Sequence, residues 1–389
     1  MKNIRIALAL LVAVAMAALA FGVFAAAEEP IPAERLTNNG APFQIGIIQI
    51  REHPALDQAN QGFLAQLADE NVYFEYSLRV AQGDVSVLAT IAQSFVNNNM
   101  DLVLANATPS VQAIASETYP ENPIPVVGVS ITNYVVAGVV ESNEAPGRNV
   151  TGASDMNPIE AQLRMMLEFV PDAQTVGIIY SSNEPNAVYQ AEIARDIIEN
   201  ELGLVVDEAT VTTTGDIDQV ARALAGRVDV IYIPTDNTLA EAMPLMANIS
   251  IDSQTPVFPG EEQMALGGGV ATLSVDYYQL GRQAGRMAAT ILRGEGEPAT
   301  MPIQFAEGYR YIVNGFMVEQ LGIEVPARFV DYIIDPNAAA EEDNDAPEAP
   351  AAPEDADDEG GFQLWHGLLI AGAALAVVVI IVVVAKKKK

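Results

Sequence analysis

The stretch YIPTDN, Tyr232–Asn237, closes an apolar run on a carboxylate, Asp236. An acid at the tip of a buried strand either caps the following helix or meets a positive charge on a ligand. Asp236 stands seven residues after Asp229 in DVIYIPTDN, and Thr108 stands seven residues after Asp101 in DLVLANATPS. The two positions look equivalent. One offers a hydroxyl and free helix-start N–H groups, which suit a carboxylate; the other offers a carboxylate, which suits an ammonium. Thr and Asp are each ordinary N-caps taken singly. As a pair at two equivalent strand tips they favour contact with a zwitterionic ligand.

Other chemistry is poorly supplied. The chain has 389 residues, no Cys and two His, His53 and His366. Disulfides, thiolate catalysis, Cys-based zinc sites and a multi-His metal centre are therefore excluded. EEQMALGGGVA, Glu261–Ala271, has three consecutive Gly but lacks the Lys and spacing of a phosphate loop, and reads as a flexible connection. No Ser/His/Asp constellation or cofactor fingerprint is present, so the expectation is a non-enzyme without cofactor or metal. A formal charge of −32 argues against a nucleic-acid partner.

The positioning elements are short apolar runs alternating with helical patterns. IGIIQI, DLVLA, IPVVGV, VGIIY, DVIYI and TPVF are continuous β-rich runs, as expected of parallel strands covered on both faces. The alternation predicts βαβ units. The halves repeat. IGII and VGII are each followed by a Pro, Pro54 and Pro185, that precedes a helical pattern, and PVVGV and PVFPG complete the match. The offset is about 130 residues throughout, which predicts two similar α/β domains around a shared cleft.

The ends carry different signals. Residues 1–27 have a basic start, an apolar stretch and small residues Ala25, Ala26 and Ala27, as in a secretory signal peptide. Residues 336–362 are an acidic Pro/Ala-rich stalk. Residues 364–385 form an uncharged run that, at about 1.5 Å per residue, is long enough to cross a bilayer core of about 30 Å as one C-terminal transmembrane helix. Lys386–Lys389 form a cytoplasmic tail by the positive-inside rule. The body is therefore expected on the extracellular face, anchored at its C-terminus.

GIIQIREHPALD, AQGDVSVLATIAQ, ATPSVQAIA, NVTGASDMNP, IIYSSNEPNAVYQ, DVIYIPTDNT and SVDYYQLGRQAGRMAATILRGE, in this order, resemble the tryptophan/tyrosine-type substrate-binding proteins of ABC transporters, over about Ile45–Ile323. The resemblance implies the type I periplasmic-binding-protein fold: two Rossmann-like lobes with parallel sheets, joined by a three-crossing hinge. Lobe 1 is then 43–152 with 276–297, and lobe 2 is 153–275 with 298–335. Crossings are expected near Gly152–Asp155, Ser274–Asp276 and Glu297–Ile303. Matching motifs imply cleft residues His53, Leu56 and Asp57; Thr108 and Ser110; Ser154 and Asp155; Ser182, Asn183, Glu184 and Asn186; and Asp236 and Asn237. Thr108 and Ser110 would hold a carboxylate and Asp236 an ammonium. Tyr277 and Tyr278 read as packing. Where the family has Thr-Asp-Pro, this chain has Thr132, Asn133 and Tyr134, an aromatic at an expected cleft edge. The implied partners are a small amino-acid ligand, an ABC permease and an ATPase, with the protein itself a monomer. The alternative is a tethered ligand-sensing receptor acting through a membrane partner.

Overall fold

The computed structural model describes residues 35–121 and 123–336. The expected signal peptide, the apolar span, the Lys tail and all of the stalk but its first residue lie outside them. No helix among the described residues is long and apolar enough to cross a membrane.

The first half of the chain builds β1 (Phe43–Gln49), α1 (Pro54–Asp69), β2 (Phe74–Val80), α2 (Val85–Asn97), β3 (Leu102–Asn106), α3 (Thr108–Thr118), β4 (Val126–Ile131) and β5 (Val150–Ser154). The second half builds α4 (Ile159–Phe169), β6 (Thr175–Ser181), α5 (Pro185–Asp196), β7 (Val205–Val211), α6 (Ile217–Ala225), β8 (Val230–Ile233), α7 (Asn237–Glu241), α8 (Met243–Ser253), β9 (Val257–Pro259), α9 (Glu262–Gly268) and β10 (Ala271–Val275). Then follow α10 (Tyr277–Leu292), β11 (Gln304–Phe305), β12 (Tyr309–Asn314), α11 (Gly315–Gln320) and β13 (Ile333–Ile334).

Strand order in the first sheet is β11-β5-β4-β3-β1-β2, all parallel. In the second it is β7-β6-β8-β9, again all parallel. The shared run β2-β1-β3-β4 and β7-β6-β8-β9 is the internal repeat seen as a fold. Pro54 and Pro185 open α1 and α5, where the missing N–H costs nothing. The second lobe also carries a small sheet, β10-β12-β13, in which β10 and β12 are antiparallel, so the sheets are not uniformly parallel.

The inner strands read as continuous apolar runs because helices cover both faces. On one face of the first sheet Leu88, Phe95, Val111 and Ile114 of α2 and α3 pack on Ile48, Val103 and Val126. On the other, Phe63 and Leu67 of α1 and Leu280, Ala284 and Met287 of α10 pack on Ile45, Ile47 and Leu104. The second sheet is covered likewise, with Leu163, Met166, Ala191 and Ala194 on one face and Ile217, Leu224, Met246 and Ile249 on the other.

The chain passes from β5 in the first sheet to α4 against the second core, and from β10 back to α10 against the first. The third crossing falls later than expected. β11 still pairs with β5 in the first sheet, so the change of sheets lies between Phe305 and Tyr309, not at Glu297–Ile303. A two-residue strand leaves too little periodicity to be read in a sequence.

Helix α10 is seated on α1 by two glycines. A Cβ on Gly62 would lie 2.0 Å from the Tyr278 carbonyl oxygen, and one on Gly281 2.0 Å from that of Ala59. The two backbones are in contact there. Gly→Ala inside a helix normally gains up to about 1 kcal/mol from propensity. Gly281→Ala should instead cost about 1–3 kcal/mol through forced separation of the helices. A lowered melting temperature checks this, and a raised one would contradict the contact.

Candidate functional site

A cavity between the lobes is bounded by the carboxyl ends of β4 and β8, the starts of α1, α7, α9 and α10, and the first crossing. Ligands of open α/β sheets bind in this position. It takes in about 310 Å³ between its walls, open at the mouth to solvent. The enclosed cavity itself is only about 10 Å³, room for about one water molecule. The walls therefore stand close together, and anything larger needs the lobes to part.

Six residues expected in the cleft line this cavity: His53, Leu56, Asp155, Asn186, Asp236 and Asn237. Ser130, Thr132, Thr235, Ala240, Glu261, Met264 and Tyr277 line it as well. The other expected residues lie elsewhere. Ser182 and Asn183 are exposed and bond to the Val211 and Thr212 carbonyls. Asp57 accepts from Gln49 behind the cavity. Ser154 donates to the Thr132 carbonyl. Thr108 and Ser110 are buried at the start of α3 with unpartnered hydroxyls, but do not line the cavity. The N-cap of α3 is Ala107, with φ +79°, so Thr108 is the first helical residue and its match to Asp236 is off by one.

Three carboxylates in the wall are buried. Asp236 is 1% exposed and caps α7: Leu239 N donates to Oδ1 at 2.8 Å and Ser181 N to Oδ2 at 2.6 Å. Burial, then repulsion from Glu184, push its pKa up to about 8. Glu184 lies behind it and accepts from Asn237 N (3.0 Å) and Nδ2 (2.6 Å) and from Thr238 N and Oγ1 (2.8 Å each). Asp155, at the first crossing, accepts from Thr132 Oγ1 at 3.2 Å and from the Tyr277 hydroxyl at 3.0 Å. Burial pushes its pKa up to about 6. Glu261 caps α9 through Gln263 N (2.7 Å) and Met264 N (2.6 Å), and burial pushes it up to about 8.

No Lys or Arg lines the cavity, so nothing there neutralises these acids. Uncompensated buried carboxylates are costly, and a cation entering between them recovers that cost. His53 does not supply the charge. Burial pushes its pKa down to about 4, leaving a neutral ring whose Nε2 lies 3.4 Å from Asn237 Oδ1 across the cleft. Its Nδ1 is buried without a partner, as are Ser130 Oγ and Asn186 Oδ1. The site thus offers one neutral imidazole, hydroxyls and amides for polar contact, with Leu56, Ala240 and Met264 for apolar contact.

Three expectations change here. Tyr277 is a wall residue as well as a packed one, because its ring is buried and its hydroxyl holds Asp155. The segment after β9 is a capped helix, not a flexible connection, with Gly268 pressed against Met243 and Ala247 and Gly269 against Pro259. Tyr134 is core, not a cleft edge. It is fully buried, donates to the Ala153 carbonyl at 3.1 Å, and fills the space left by Gly128 and Gly152.

Two parallel α/β lobes, three chain crossings and a polar interlobe cavity define a periplasmic-binding-protein-like solute binder. Residues 44–333 match the family described as ABC transporter substrate binding protein, and the chain belongs to that family. A relative from Clostridioides difficile named tyrosine-binding protein is 32% identical over 294 residues, which are 74% of this chain and 84% of that protein. A structure of a Streptococcus pneumonia ABC domain in complex with L-Trp is 31% identical, spans 76% of this chain and 100% of its own, and superposes with a TM-score of 0.71. A ligand-free, open structure of a substrate-binding protein from Clostridium difficile is 32% identical, spans 75% and 99%, and superposes at 0.59. At nearly equal identity and coverage, this chain is closer in shape to the L-Trp complex than to the open form.

Proposed function

We propose that the protein captures an aromatic amino acid at the extracellular face of the cell membrane and delivers it to an ABC permease with its ATPase. The observation that carries the ligand class is the cavity wall itself: Asp155, Asp236 and Glu261, all buried, with no cationic side chain among the lining residues. An α-ammonium is the missing charge. Asp155 is its main partner in this reading, because its oxygens are held by two hydroxyls and its own backbone N–H, whereas those of Asp236 and Glu261 are tied to helix starts. Ser130, with a free buried hydroxyl, and the neutral His53 face the rest of the ligand. The tyrosine-binding relative and the L-Trp complex support an aromatic side chain. The basic-apolar N-terminal segment and the apolar run 364–385 support secretion and membrane anchoring.

Thermal unfolding of the purified protein against amino acids, nucleosides and sugars tests the reading. Ligand at about 1,000 times its Kd adds about 4 kcal/mol of stability. A rise in melting temperature with L-tyrosine or L-tryptophan is expected. A rise only with sugars or nucleosides would remove the amino-acid assignment and leave the fold standing.

A further inference from the structure

Outside the cavity, one ion pair joins the two lobes across the mouth. Arg51 follows β1 in the first lobe, Glu241 ends α7 in the second, and the Arg51 guanidinium is hydrogen-bonded to the Glu241 carboxylate. The pair spans 190 residues of sequence.

The Arg51 side is built to aim. Its backbone carbonyl accepts from Gln49 Nε2 at 2.6 Å, and that buried amide is in turn bonded to Asp57 and Asn60. Its guanidinium lies flat on Gly83, where φ is +83° and a Cβ would come within 2.4 Å of Cζ. Glycine at 83 therefore both makes the turn and leaves the slot. The Arg51 side chain is 17% exposed, whereas that of Glu241 is 52% exposed.

The Glu241 side reports on the cavity. Helix α7 is five residues long, and its first turn carries Asp236 and Asn237 of the cavity wall. Any movement that brings these toward His53 carries Glu241 toward Arg51. Weaker contacts also cross between the lobes, among them His53 Nε2 to Asn237 Oδ1 at 3.4 Å and Gln190 Nε2 to Thr132 Oγ1 at 3.3 Å, but neither pairs opposite charges.

We propose that Arg51 and Glu241 form a closing latch that sets how long the lobes stay shut, and hence the residence time of the bound molecule, without touching it. The latch rests on the reading of the cavity as a ligand cleft that opens and closes. Exposed ion pairs contribute modestly, so removing the charge of Glu241 should speed release about two- to fivefold and leave association unchanged. Salt screens such a pair, so part of the salt dependence of release should vanish with it.

The test variant is Glu241→Gln, which keeps the shape of an exposed side chain. Two measurements are read on the full-length protein. The first is dissociation of L-tyrosine and L-tryptophan by stopped flow at low and high salt, for the parent and Glu241→Gln. The second needs no ligand. The chain has no Cys, so Ala89→Cys on α2 and Gln219→Cys on α6 introduce the only two thiols for spin labels. Both positions are exposed and follow the carboxyl ends of β2 and β7 on the cleft side. In the ligand-free protein, Glu241→Gln should shift the label separation to longer distances, and Arg51→Glu with Glu241→Arg should restore it. Identical distance distributions for parent and Glu241→Gln would overturn the latch. If neither amino acid binds, the ligand assignment falls, while the distances still decide the latch.

Discussion

Asp155→Asn should abolish most ligand binding while leaving the protein as stable as before, or more so. Asn has the shape of Asp and keeps contacts with both hydroxyls that hold it, Thr132 Oγ1 and the Tyr277 hydroxyl. It removes a carboxylate that burial already disfavours. Buried charges without partners are replaced by neutral groups at little cost, often with a gain. The bound state loses the opposite. Breaking a buried ion pair by removing one partner costs about 3–5 kcal/mol, which is about two to four orders of magnitude in Kd. The signature is a split: a melting temperature equal to or above the parent's, with an affinity for L-tyrosine or L-tryptophan at least about 100-fold weaker. Calorimetric titration beside a melting curve reads both. An unchanged Kd would move the ammonium away from Asp155.

Affinity should rise with pH, and ligand-free stability should fall. Asp155 is pushed up to about 6, and Asp236 and Glu261 to about 8, chiefly by burial. At neutral pH the empty cavity therefore holds protons that an ammonium displaces. Binding requires ionised carboxylates, so affinity should gain at least about tenfold between pH 5 and pH 8, with proton release into buffer. For stability the sign is as follows. A carboxylate whose folded pKa is raised favours the folded state below its unfolded pKa, and that contribution is lost as pH rises through the folded value. His53, lowered to about 4, acts oppositely, adding stability as pH rises from 4 to 6.5. Above pH 6.5 its contribution is complete, and Asp236 and Glu261 remain. The ligand-free protein should therefore lose melting temperature between pH 6.5 and 8. Lowered acids such as Asp207 and Asp216 act only at more acid pH. Titration calorimetry in buffers of different ionisation enthalpy counts the protons. Zero protons released, with pH-independent affinity, would contradict the cavity electrostatics.

Much of the fold was legible in the sequence because its strands are covered on both faces. IGIIQI, DLVLA, IPVVGV, VGIIY, DVIYI and TPVF fall on β1, β3, β4, β6, β8 and β9. The edge strands β2 and β7, partly exposed and mixed in polarity, gave no such run. The cavity was half legible. Asp236 stood out as an acid at a strand tip, and the structure gives it a cap's hydrogen bonds within the cavity wall. The same rule applied to PVFPGEE would have found Glu261, but the following glycines read as a loop. Ser130, Thr132 and Tyr277 needed knowledge of where β4 ends and where the second crossing aims, which no local pattern encodes. Tyr134 did carry a signal. Gly128 and Gly152 sit opposite each other on paired strands, and the space they leave is its seat.

Ligand choice turns on one charge, the ammonium. Calorimetric titration of the full-length protein with L-tyrosine and with 3-(4-hydroxyphenyl)propionate, which differs only in lacking the ammonium, tests it most directly. Saturable binding of L-tyrosine is expected, with loss of at least about two orders of magnitude for the desamino compound. Equal affinity for the two would show that Asp155, Asp236 and Glu261 do not read an ammonium, and the proposed ligand class would fall with them.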